Sequence, residues 1–214
     1  MTDVKHQQRI KSLHRAILII SGMALFAVIA LPIWRIELIA PQYPEGLEMF
    51  IYSYKLGGQV EIINGLNHYI GMKVLKADDF IEFTVLPYII GAYAVFFILV
   101  GILARRKLLY ILLGAFILFG IVAMVDFYMW LYDYGHNLDP TAPIIVPGMA
   151  YQPPLIGYKQ LLNFLAFSIP DVGGWIFIAC GVLLAFCSLA EWRTTRKTFT
   201  PQSPVDDNSS HQSS

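Results

Sequence analysis

The stretch FTVLPYIIGAYAVFFILVGILARRKLLYILLGAFILFGIVAMVDFYMWL (83–131) decides the architecture. Residues 83–104 carry no charge, Arg105-Arg106-Lys107 follow at once, and a second apolar block fills 108–131. A helix rises about 1.5 Å per residue, so each block reaches across a hydrocarbon core about 30 Å thick. A basic link this short, 105–107, forces the two helices antiparallel. The stretch reads as a transmembrane hairpin with its turn in water.

Working outward, residues 16–34 also run without a charge. As a helix they span about 28 Å. The basic segment before them (1–15, with Lys5, Arg9, Lys11 and Arg15) would also suit a cleaved leader. A leader needs small residues before its cleavage site, and Pro32-Ile33-Trp34 stand there instead. We therefore read 16–34 as a retained first span. Beyond the hairpin, 132–157 is rich in Pro and Gly and reads as a loop. Residues 158–168 mix apolar positions with Lys159, Gln160 and Asn163, the pattern of a short helix lying in the interface. Pro170-Asp171 then suit the start of a last span over 172–190. The tail, 191–214, is basic and then rich in Ser, Pro, Asp and Asn, and reads as disordered.

The composition agrees. The chain of 214 residues is 57% hydrophobic and 14% charged, against about 25% charged in a typical soluble domain. Formal net charge is zero, so the total points to no nucleic-acid partner. The distribution carries the information. Lys and Arg gather before span 1, in the 105–107 turn and after Trp192, and a four-span model puts all three clusters on one side. The expectation is an all-α integral protein of a bacterial inner membrane with both termini cytoplasmic. Residues 35–82 and 132–171 then face outward. Trp34, Tyr43, Tyr128, Trp130, Tyr132, Tyr134 and Trp175 sit at the outer boundary as an aromatic belt. Cys180 and Cys187, seven apart in one apolar block, offer no disulfide framework.

The outer segment 35–82 holds the distinctive chemistry. Residues 49–54 and 59–63 are β-prone runs joined by Lys55-Leu56-Gly57-Gly58, a hairpin signal. From Leu66 the pattern turns helical, so a small β-hairpin/helix cap is expected between spans 1 and 2. His68 and Met72 are four apart, and on a helix they would share a face. Imidazole with thioether suits copper, Cu(I) above all. The alternative is a His bonded to a loop carbonyl and a Met packed in the cap. His136 is the other His on the outer side and could add a ligand, with Met149 farther along the same loop. His6, His14 and His211 fall in the cytoplasmic tails. Tyr43, Glu45, Glu48 and Asp133 form a candidate partner-facing rim. Asp126 lies about 27 Å along its helix from Leu108, at the outer boundary, where an acid has either a site role or a structural hydrogen bond.

Much chemistry is excluded. With no His inside the apolar blocks, bis-His haem between helices has no ligands. The chain has no phosphate-binding Gly loop, no HExxH and no Gly-x-Ser-x-Gly. Nothing points to an enzyme.

Ala40-Pro41-Gln42-Tyr43-Pro44-Glu45-Gly46-Leu47 and Ile63-Asn64-Gly65-Leu66-Asn67-His68-Tyr69-Ile70-Gly71-Met72, on a four-span scaffold, resemble the NosB-like group. These are small membrane proteins encoded beside nitrous-oxide reductase in some denitrification gene clusters. The resemblance covers the first outer segment best and the later spans by topology only. It implies an accessory role beside a periplasmic copper oxidoreductase or its maturation proteins: copper handling, docking or electron supply. It brings no site residues with it. Three rivals stand beside this expectation: a membrane electron-transfer subunit, a transporter component, and a structural scaffold with no ligand.

Overall fold

The computed structural model describes residues 9–198. In chain order it contains α1 (Ser12–Val28), β1 (Trp34–Ala40), β2 (Tyr43–Ile51), β3 (Leu56–Gly58), α2 (Val60–Tyr69), a 3-10 turn (Ala77–Asp79), α3 (Glu82–Leu103), α4 (Arg106–His136), β4 (Gly157–Leu161), β5 (Phe164–Pro170) and α5 (Val172–Thr198). Three of these helices, α3, α4 and α5, are long and apolar enough to cross a membrane. Helix α1 is apolar but has only 17 residues, about 25 Å.

The all-α expectation is overturned. A five-stranded antiparallel sheet, in the order β3-β2-β1-β5-β4, stands at one end of the helices. Two segments account for the correction. Trp34, expected to close span 1, instead opens β1, because Trp34-Arg35-Ile36-Glu37-Leu38 alternates apolar and charged. That period of two sends Trp34 and Ile36 inward and Arg35 and Glu37 outward. Residues 158–168, expected as an interfacial helix, are the hairpin β4–β5. Its register closes at Leu161↔Phe164 over a two-residue turn, Leu162-Asn163. Leu162 takes φ of 55° there, a backbone region that turns normally give to Gly or Asn.

The separate small cap expected between spans 1 and 2 is replaced by part of this sheet. β2 and β3 form the hairpin, and residues 59–63, expected as its second strand, mostly begin α2. The expected loop at 132–157 starts late, because α4 continues to His136. At 31 residues, α4 is about 46 Å long, more than a bilayer core needs. Its last turns run under the sheet. There Leu131 and Tyr134 pack with Trp34, Ile36, Leu47 and Met49. The tail expected from 191 is helical to Thr198. The remaining tail, 199–214, and the basic residues before Arg9, with His6 and His211, lie outside the described residues.

At the opposite end, the 105–107 turn is held by the chain before α1. Ile10 N–H donates to Ala104 O at 2.9 Å, and Arg15 Nε to Gly101 O at 2.9 Å. The latter satisfies one of the carbonyls that α3 leaves open at its C-terminus. Helices α1 and α3 are the closest-packed pair. A Cβ on Gly22 would lie 2.7 Å from Ala94 O of α3. Only a hydrogen at that position lets the backbones approach.

Candidate functional site

The expected ligands separate in the structure. Helix α2 ends at Tyr69, and Gly71, at φ of 79°, turns the chain away. A Cβ at Gly71 would lie 2.9 Å from Asp139 O, so the turn also admits the loop that packs there. His68 is left exposed on the last turn of α2, its ring 6.1 Å from that of Tyr69. Met72 lies beyond the helix and packs into the core under the sheet. The four-residue spacing therefore does not place imidazole and thioether on one helix face. His136 is exposed at the end of α4. It stacks on Tyr132 at 3.9 Å, and its Nδ1 lies 2.9 Å from Tyr132 O. Among the described residues, no group of three or more His, Cys, Asp or Glu is placed to hold a metal ion.

The rim residues are spread along the sheet end. Tyr43 is half-buried at the start of β2, and Glu45 is exposed beside it. Asp133 pairs with Lys73 Nζ at 3.3 Å and accepts from Asn137 Nδ2. Nearby, Asp139 accepts from both the hydroxyl and the N–H of Thr141. Those two bonds hold its carboxyl below the usual range. Glu48 belongs to a cluster that was not legible in the sequence. On the face of the sheet turned away from α4, Arg35 lies 3.2 Å from Glu37, 3.6 Å from Glu48 and 3.8 Å from Asp171. Three carboxylates thus surround one guanidinium. Strand register explains it: Glu37 pairs with Glu48 across β1–β2, and Arg35 with Ile169 across β1–β5. That second pairing brings Asp171 close.

Below the sheet, where α3, α4 and α5 diverge, lies a cavity of about 570 Å³. Aromatic rings line it, among them Trp34, Phe80, Phe119, Phe127, Trp130 and Phe177. Asp126, expected at the boundary, lines it with Glu82. The two tryptophans differ. Trp34 Nε1 donates to Ser168 Oγ at 2.8 Å, and that hydroxyl donates on to Leu155 O at 3.0 Å. Trp130 Nε1 is buried with no partner among the described residues.

At the far end of the bundle is a second polar centre, also absent from the sequence reading. His14, assigned to a tail, is buried in the first turn of α1. Its Nδ1 lies 2.7 Å from Oε1 of Glu191, which is wholly buried. Lys11 N–H donates to the same oxygen at 2.9 Å. Arg106 brings Nε and Nη2 each to 2.9 Å from Oε2. The carboxylate ties α1, α4 and α5 together. No family model matches the chain, and no curated protein matches it either.

Proposed function

We propose that this chain is a non-enzymatic accessory protein of a bacterial inner membrane. It crosses the membrane more than once with both termini cytoplasmic, and its sheet docks a periplasmic copper oxidoreductase or that enzyme's maturation proteins. The single observation that carries the reading is the face of the sheet turned away from α4. Arg35 cannot neutralise Glu37, Glu48 and Asp171 together. The excess of negative charge suits a basic partner surface and would steer its approach. The sheet is also well supported, since its other face packs on α4. The orientation is supported by Arg105, Arg106 and Lys107 at the end opposite the sheet. The partner class, nitrous-oxide reductase and its assembly proteins, is the one the resemblance implies.

Copurification from the native membrane tests docking. Glu37→Lys with Glu48→Lys is expected to remove the periplasmic partner, and retention of that partner would end this reading. A reporter fused after Gly58 tests the sidedness, and a cytoplasmic signal there would overturn it. The copper-handling version rests on His68 and Met72, with His136 as a third ligand, and it needs the α2 end to reorganise. Unchanged copper affinity after His68→Ala and Met72→Ala would remove that version and leave docking intact.

A further inference from the structure

The end of the bundle opposite the sheet is cationic, and most of its charge is left unpaired. Arg9, Lys11, Arg105, Lys107 and Arg193 are all exposed there. None of the five forms an ion pair among the described residues. The acid beside them, Glu191, is wholly buried and already taken by Arg106, His14 and the Lys11 N–H. The other described acids, from Glu37 to Asp171 in the chain, stand toward the sheet end.

Two of the cations are held face to face. Arg9 and Arg105 lie directly opposite each other in an isolated antiparallel bridge, closed by Ile10 N–H to Ala104 O at 2.9 Å. Residues so paired carry their Cβ atoms about 5 Å apart on one side, and like charges there destabilise the pairing. An anion between the two guanidiniums turns that repulsion into attraction. Each guanidinium fork also matches two oxygens of a phosphate.

Depth and surroundings narrow the choice of anion. Helix α3 has 22 residues, about 33 Å, and ends two residues before Arg105. A bilayer core is about 30 Å thick, so the arginine pair stands at the level of the head groups. Within four residues of these cations, Leu13, Ile102, Leu103, Ile111, Leu189 and Trp192 are exposed. A small soluble anion would use the cations and leave those apolar side chains uncovered. A phospholipid covers both, with its phosphate on the arginines and its acyl chains along the apolar side chains. A zwitterionic head group brings a further cation into a place already cationic, so a lipid of net negative charge fits best.

We propose that this end of the bundle binds an anionic phospholipid, its phosphate between Arg9 and Arg105, with Lys11, Lys107 and Arg193 adding to the attraction. The site is independent of the docking surface, which lies at the other end.

The test titrates the full chain in dodecyl maltoside with phosphatidylglycerol or with phosphatidylcholine of the same acyl chains. Native mass spectrometry counts the lipid retained. Phosphatidylglycerol is expected to be held at least about tenfold more tightly. Arg9→Gln with Arg105→Gln is expected to remove about that tenfold preference. Lys55→Gln with Lys159→Gln makes the same change in net charge at the sheet and is expected to leave retention unchanged. The comparison of the two lipids on the unaltered chain stands even where a variant fails to fold. Equal retention of the two lipids would overturn the proposal and leave the arginines as orientation signals only. So would an equal loss from the lysine pair, which would mean attraction by net charge alone. Displacement of the lipid by millimolar inorganic phosphate at constant ionic strength would make a free anion the occupant and would overturn it as well. None of these outcomes touches the sheet-face reading, which is scored on Glu37 and Glu48.

Discussion

The two ends of the helical bundle are built on opposite terms. At the end that carries Arg105 and Arg106 the helices close up. Gly22 lets α1 lie against α3, and Glu191 gathers Lys11, His14 and Arg106 around one buried carboxylate. At the sheet end they splay. Helix α4 makes few contacts with α3, and rings such as Phe119, Phe127 and Phe177 line the space between helices. Lipid tails are as apolar as leucine, so apolarity alone gives helices in a membrane little reason to close together. They close where small residues or polar bonds supply one. The sheet end stays in order because the sheet braces it from outside, with Trp34 edge-on to Phe127 at 5.2 Å.

This contrast can be broken experimentally. The largest effect is expected from Glu191→Ala. It would leave Arg106 without this counter-charge and His14 without this hydrogen-bond partner, and breaking a buried pair from one side typically costs about 3–5 kcal/mol. Unfolding of the purified protein in detergent measures it, and a loss below about 1 kcal/mol would mean this end is held by something else. Next is Gly22→Leu. Overpacking at the α1–α3 contact is expected to cost about 1–3 kcal/mol. Gly120→Ala is the counterpart on the cavity side, where an added Cβ meets nothing within 4 Å. Replacing a mid-helix glycine there is expected to stabilise by up to about 1 kcal/mol. If both glycine changes destabilise alike, the splayed end is not open as described.

The smallest effect concerns the loop beside the sheet. The bonds from Thr141 depress the Asp139 carboxyl in the folded state, so its contribution is present above the ordinary carboxylate value. It is lost as pH falls below about 4, through the depressed value. The Thr141 amide resonance is expected to follow that titration. Asp139→Asn is expected to keep the turn and abolish the pH dependence.

How much was legible can be read from particular residues. Helices α3, α4 and α5 were plain, because a span must exclude charge over a length that few other structures need. The β2–β3 hairpin was visible through Gly57-Gly58, though displaced. The sheet was not. Between α1 and β1 Pro32 is the only turn-forming residue type, and Trp34 served equally well as the end of a span. The β4–β5 turn puts Leu162 where a Gly or Asn would have announced it. For His68 and Met72 a usable signal stood between them: a Gly just past a helix commonly marks its end, and Gly71 does so here. The His14–Glu191 contact had no local signal at all, since its partners are 177 residues apart.

Local composition alone determined which segments of this chain can lie in lipid, because the bilayer tests each segment by its own length and charge. The pairing of β1 with β5, the carboxylates around Arg35, the closed end around Glu191 and the cavity beside Asp126 were decided only in three dimensions. Each joins residues far apart in the chain. What holds them is complementary shape, strand register and hydrogen bonding between surfaces that neither segment specifies by itself.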